Sequence, residues 1–125
     1  MDFSEQERII DFSDFIGQKI TEITSVGLEL VNLKFVNGIL NVECSWRLRS
    51  STGILVGINE RKETEFIAIL KAHLMSKPIT QINYFESGDL IIEFEGRYFF
   101  DLFADSSTFE HFQLYLGETL FLVGR

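Results

Sequence analysis

Apolar and polar residues alternate along two long parts of the chain, and this pattern predicts a protein built mainly of β-strands. The alternation begins at residues 20–23 and continues through residues 31–35. Asn37-Gly38 follows and predicts a hairpin, because both residues tolerate a positive φ. Every second residue over residues 40–48 is apolar, which predicts one long strand with a single buried face.

Two segments have features of helices instead. Ser4 and Glu7 form a capping box, which predicts a short N-terminal helix over residues 4–12. In residues 60–75 the apolar side chains fall at helical spacing, and Pro78 marks the end of this second predicted helix.

The second part of the sequence repeats the order of the first. Residues 20–23 match 79–82, 33–35 match 92–94, 46–48 match 112–114 and 55–57 match 122–124, with an insertion near 104–109. The sequence therefore predicts one domain, residues 1–125, of the α+β class. It would be a mostly antiparallel β-sheet protein made of two pseudo-repeated β-units, residues 17–58 and 76–125, joined by the helix at about 60–75.

Charge restricts the partners that this protein can have. The net charge is −8, and residues 76–125 carry 8 acidic and 3 basic residues. Nucleic acids and anionic membranes both need a basic surface, so the sequence argues against them and permits a basic protein partner. The acidic start, the lack of a long apolar stretch and the single cysteine, Cys44, predict a protein of the reducing cytoplasm.

No pattern in the sequence indicates catalysis. His73 and His111 lack the spacing of metal ligands, and Cys44 lies on an apolar strand face. Nucleophile-elbow and phosphate-binding glycine motifs are absent. We therefore expect a protein without catalytic residues, metal or cofactor.

Several segments resemble those of a known group of proteins. Trp46-Arg47-Leu48 followed by residues 53–57, then residues 89–96 and 109–114, resemble small β-rich bacterial proteins of unknown function. In that group the last segment typically reads tyrosine-glutamate-any-tryptophan-glutamine-leucine, and here phenylalanine stands at both aromatic positions. The resemblance covers residues 17–125. Some of these proteins look like immunity proteins encoded beside polymorphic bacterial toxins, which implies a binding role and no catalytic residues.

Strand alternation also predicts where a partner would bind. It places the carboxylates of residues 89–95 on one face, and Asp101 on a neighbouring strand can join them. Such a face would steer a basic protein, such as a toxin domain, into contact. Phe99 and Phe103 are either buried under the helix or form an apolar contact beside the acidic face. The predicted partner-binding residues are Asp89, Glu93, Glu95, Asp101, Phe99 and Phe103.

Two alternatives remain open at the level of sequence. The protein could associate with itself as a homodimer, through strand edges or a Phe-rich surface. It could also bind a small ligand or act as an enzyme in a pocket between the halves, with Asp101, Glu93 or His111 as acid–base groups.

Overall fold

A computed structural model describes residues 9–26, 30–57, 63–104 and 111–124. Within these residues the chain forms ten strands and one α-helix. The first five strands are β1 (Ile20–Val26), β2 (Leu30–Phe35), β3 (Gly38–Val42), β4 (Ser45–Ser50) and β5 (Gly53–Gly57). After the helix α1 (Glu63–Leu74) come β6 (Ile79–Tyr84), β7 (Leu90–Phe94), β8 (Tyr98–Phe103), β9 (Phe112–Leu116) and β10 (Thr119–Gly124). The predictions of a β-rich protein and of a helix near residues 60–75 are confirmed.

The strands form two antiparallel sheets of five strands each. Sheet 1 has the order β1-β2-β3-β9-β10, and sheet 2 has the order β5-β4-β8-β7-β6. Each sheet thus contains three consecutive strands from one half of the chain and a hairpin from the other half. The β4–β5 hairpin pairs with β8, and the β9–β10 hairpin pairs with β3. Because each half contributes a hairpin to the other half's sheet, neither sheet is built from one half alone.

The predicted long strand over residues 40–48 is wrong, although its buried face is right. The chain leaves sheet 1 after Val42 and enters sheet 2 at Ser45. Residues 40, 42, 44, 46 and 48 nevertheless remain buried on both sides of this crossing. A period of two reports which side of the backbone faces the core, and it does not report which strand lies alongside.

The hairpin predicted at Asn37-Gly38 forms, but for a different reason. Its loop residues are Val36 and Asn37, and the described residues with positive φ include neither Asn37 nor Gly38. Gly38 begins β3, where a Cβ atom would lie 2.5 Å from the backbone oxygen of Tyr115 on β9. Gly38 is therefore needed for the close approach of two strands.

The helix predicted over residues 4–12 lies partly outside the described residues, and residues 9–12 are not helical. The backbone N–H of Ser13 donates a 2.9 Å hydrogen bond to the Asp11 carboxylate, and this bond lowers the pKa of Asp11. Phe15 then packs on Phe121 of β10, with ring centroids 5.0 Å apart.

Helix α1 contacts an edge strand of each sheet, β1 of sheet 1 and β5 of sheet 2. Phe66, Leu70 and Leu74 lie four residues apart and are all buried. Phe66 meets Trp46 of sheet 2, with ring centroids 5.5 Å apart. Tyr84 of sheet 2 meets Phe112 of sheet 1 at 5.9 Å, so the two sheets and the helix share one hydrophobic core.

Several backbone features recur at positions 59 residues apart, as Ile20 and Ile79 are. The N–H of Gly17 donates to the Ile79 oxygen, and the N–H of Ser76 donates to the Ile20 oxygen. Both donors have a positive φ. The same spacing relates two further backbone bonds, from Val36 N–H to the Lys19 oxygen and from Glu95 N–H to the Pro78 oxygen. It also relates two side-chain bonds, from the Thr21 hydroxyl to the Lys34 oxygen and from the Thr80 hydroxyl to the Glu93 oxygen. The β-bulges follow it as well, one between Ile20 and Glu22 and the other between Ile79 and Gln81. Residues 17–36 and residues 76–95 therefore share these local backbone features.

The contact at Gly38 generates a prediction about stability. Gly38→Ala places a methyl group against the Tyr115 backbone, which cannot rotate away as a side chain can. We expect a loss of about 1–3 kcal/mol in the free energy of unfolding from this overpacking, which outweighs the gain of about 0.4–1 kcal/mol from restricting the unfolded chain. Urea denaturation measures it, with Val36→Ala in the adjacent loop as the exposed control. A Gly38→Ala variant as stable as the control would contradict the close approach.

Candidate functional site

The outer face of sheet 2 carries a group of charged and aromatic side chains. On β8, Phe99, Asp101 and Phe103 alternate with residues that face the core. The neighbouring strand β4 contributes two arginines, which the register places opposite β8: Arg47 pairs with Asp101 and Arg49 with Phe99. We call these residues, Arg47, Arg49, Phe99, Asp101 and Phe103, the Arg–Phe cluster.

Asp101 lies at the centre of the cluster. The Nε atoms of Arg47 and Arg49 both donate to its Oδ2 atom, at 2.7 and 2.6 Å. The Asp101 side chain is only 2% exposed, whereas the arginine side chains are 38% and 28% exposed. Its second oxygen, Oδ1, is buried and has no hydrogen-bond partner among the residues that the structure describes. The two arginines therefore cover the carboxylate and neutralise it.

The two phenylalanines support the arginines from the side. The guanidinium carbon of Arg49 lies 4.2 Å from the ring centroid of Phe99, and that of Arg47 lies 5.1 Å from the ring centroid of Phe103. These are cation–π distances. Both rings are half-buried, so neither of the two arrangements considered for them from the sequence, full burial or open exposure, describes them.

The predicted acidic residues do not form one exposed row. Asp101 is buried under the arginines, and the Asp89 carboxylate accepts a 2.7 Å hydrogen bond from the backbone N–H of Ala104. Glu93 is half-buried on β7 opposite Phe99, and Glu95 is exposed in the turn after β7. The structure thus gathers Glu93, Phe99, Asp101 and Phe103 on one face, while Asp89 and Glu95 lie beyond the ends of β7.

The sequence does not predict the contact of Arg47 and Arg49 with Asp101. The ion-paired residues are 54 and 52 positions apart in the chain. Only the pairing of β4 with β8 brings them together. No local pattern reports a pairing of this kind, although the excess of carboxylates over basic residues in residues 76–125 is compatible with it.

The outer face of sheet 1 has neutral side chains at the corresponding positions. The register aligns Asn32, Asn41 and Gln113 in a row across β2, β3 and β9. Asn32 donates through Nδ2 to the Asn41 oxygen, and Gln113 donates through Nε2 to a Glu43 oxygen at 2.6 Å. Two shallow depressions of about 280 and 340 Å³ adjoin this row and share Asn32 and Asn41.

The two faces can be compared position by position. Arg47 in β4 and Gln113 in β9 have the same sequence neighbours, because each follows a buried aromatic residue and precedes a buried leucine. Their cross-strand partners are Asp101 and Asn41. The same pair of positions is therefore an ion pair in sheet 2 and a pair of amides in sheet 1. Sheet 1 therefore forms with neutral side chains at its pair of positions.

The residues considered for catalysis differ in their burial and in their partners. Cys44 is a buried thiol, His111 is 3% exposed, and His73 in α1 bonds through Nδ1 to the Ile69 carbonyl at 2.9 Å. Among the described residues, no group of three or more His, Cys, Asp and Glu side chains could hold a metal ion. The two depressions on sheet 1 are lined by none of Asp101, Glu93 and His111. In the described part of the chain, no helix is long and apolar enough to cross a membrane.

The ion pairs lead to a prediction based on the neutral face. Asp101→Ala removes the carboxylate that holds two arginines, and we expect it to lower the free energy of unfolding by about 2 kcal/mol. This loss is smaller than that for breaking a fully buried ion pair, because the arginine side chains can turn to solvent. The double variant Arg47→Gln/Asp101→Asn copies Gln113 and Asn41, and we expect it to stay within about 1 kcal/mol of the wild type. Urea denaturation of the three proteins distinguishes these outcomes. Equal losses in both variants would mean that sheet 2 requires the charges.

Comparison with known proteins adds no relative to this description. No protein-family model, no curated protein and no solved structure matches the chain.

Proposed function

We propose that this protein is a non-enzymatic binding protein that recognises another protein through the outer face of sheet 2. The Arg–Phe cluster is the observation that carries the proposal. Arginine and aromatic residues dominate the energetics of protein–protein interfaces, and they do so best where they are partly desolvated and held in place. Arg49 on Phe99 and Arg47 on Phe103 satisfy both conditions.

A purely structural role explains the cluster less well. Burying the Asp101 carboxylate requires its removal from water, and a buried ion pair often stabilises a fold no better than neutral residues of similar volume. The unsatisfied Oδ1 atom adds to this cost. Since sheet 1 has Asn41 and Gln113 at the same positions, the architecture does not itself call for charge there. We therefore attribute the charges to recognition.

The more specific form of the proposal is a bacterial immunity protein that occludes a basic toxin domain in the cytoplasm. The resemblance of residues 17–125 to small β-rich bacterial proteins, some of which look like immunity proteins, supports it, and so does the net charge of −8, which would speed encounter with a basic partner. Glu93 and the exposed Glu95 would provide acidic contacts beside the cluster. Asp101 would act indirectly in this proposal, by orienting the arginines.

We also propose that the two halves are pseudo-repeated β-units that arose by duplication. The recurrence of backbone bonds, positive-φ residues and bulges at a spacing of 59 residues supports this origin. The exchange of equivalent hairpins between the sheets supports it as well. On this view the units kept a common backbone while their outer faces diverged, one to neutral amides and the other to the Arg–Phe cluster.

Capture of a partner from the source cell tests which face is used. We expect the Arg49→Ala variant to capture less partner than the wild type, by a factor of at least about ten, because it lacks one arginine of the interface centre. Lys34→Ala is the matched control, since it removes the same charge from an exposed position on sheet 1. Capture equal in both variants would refute recognition through sheet 2, and capture only of further copies of this chain would favour self-association instead.

Co-expression tests the immunity role itself. Cells that produce a toxin encoded beside this protein should survive when the wild type is co-expressed. The variant Glu93→Lys/Glu95→Lys should protect less well, because it reverses the acidic contacts offered to a basic toxin. Lack of protection by the wild type against every adjacent toxin would rule out this form of the proposal.

A further inference from the structure

We infer that Arg47 and Arg49 together form a receptor for a carboxylate group of the partner protein. This inference rests on the proposed function and adds the chemistry of the contact. The sequence predicts that this acidic protein contacts a basic partner. At the centre of the surface we infer the opposite contact, in which two arginines bind an acidic group of the partner.

Each guanidinium group has unused donors. An arginine side chain carries five N–H donors, and in this cluster only the Nε donor is bonded to Asp101. The terminal Nη groups make no hydrogen bond within the described part of the chain. Because both Nε atoms contact the same Oδ2 atom, the two guanidinium groups are held close together at the surface.

The positions of the guanidinium groups are set before a partner arrives. Asp101 holds the Nε edge of each group, and a phenylalanine ring lies against each one. A donor group that is already oriented loses less conformational entropy on binding than a free arginine on a surface. The 38% and 28% exposure of the two side chains leaves room for a ligand.

The charged side chains of the cluster do not balance one another unless an anion is bound. Two arginines, which are always protonated, face one carboxylate, so the group of three carries one excess positive charge. Glu93 lies on β7, and β8 separates it from the arginines on β4. A carboxylate from outside would balance the charge and form charge-assisted hydrogen bonds with the Nη groups.

The surroundings favour a protein as the source of this carboxylate. Ile54 is 65% exposed and lies opposite Arg49 on β5, while the half-buried Phe99 lies opposite it on β8. Apolar neighbours of this kind suit an acidic side chain, or a chain end, flanked by apolar residues. A nucleic acid would bring many phosphates towards a protein with a net charge of −8, and the resulting repulsion disfavours it.

Titration of the full-length, ¹⁵N-labelled protein with a blocked tetraglutamate peptide, followed by NMR of the arginine Nε–Hε signals, tests the inference. We expect saturable shifts of the Arg47 and Arg49 signals. The variant Arg47→Lys/Arg49→Lys keeps the charge but loses the planar fork, and we expect its apparent affinity, followed on backbone amide signals of β4, to fall by at least about tenfold. Lys34→Ala, on the other sheet, should bind the peptide as the wild type does.

A blocked tetralysine peptide and inorganic phosphate provide the opposing measurements. Shifts of Arg47 and Arg49 with tetralysine, or with phosphate but not with tetraglutamate, would overturn the assignment of a carboxylate. The absence of any shift with tetraglutamate would overturn the assignment as well. If Arg49→Ala nevertheless abolishes capture of the natural partner, the proposed function stands without it. If the peptide binds but Arg49→Ala leaves capture unchanged, the proposed function fails instead. Thermal unfolding of each variant establishes that it is folded.

Discussion

The pairing of β4 with β8 and of β9 with β3 is the interaction on which the rest of the structure depends. Without it each half would be a three-stranded sheet with an unpaired hairpin and an apolar face open to water, and such small sheets are marginally stable alone. By exchanging hairpins the two halves complete each other's sheets and enclose one core. Backbone hydrogen bonds across the exchange therefore couple the two halves.

The same pairing creates the Arg–Phe cluster. Arg47 and Arg49 belong to the first half, and Phe99, Asp101 and Phe103 belong to the second. The cluster exists only when both halves are folded together, since neither half holds both the arginines and their carboxylate. The cluster therefore depends on the complete fold, and it would be lost whenever the exchange of hairpins fails.

The outer faces of the two sheets carry different side chains at their central cross-strand pair. At equivalent positions sheet 1 has Asn41 and Gln113, whereas sheet 2 has Asp101 and Arg47. In the amide row Asn32 donates a hydrogen bond to Asn41, and Gln113 donates one to Glu43. The Arg–Phe cluster keeps an excess charge and unused donors. One molecule thus carries a row of amides on one outer face and a charged, aromatic cluster on the other.

The sequence by itself determined that the protein is rich in β-strands, that a helix lies near residues 60–75 and that alternate residues over 40–48 face the core, because burial on one side of a strand or helix leaves a period in the chain. Leu40, Trp46 and Leu48 were placed correctly in the core for this reason. Only the tertiary structure decided that the chain changes sheets between Val42 and Ser45, that Gly38 touches the next strand, and that Asp101 lies under two arginines. These facts depend on which strands pair over more than 50 positions of sequence, and the choice of partner strand leaves no local period to read.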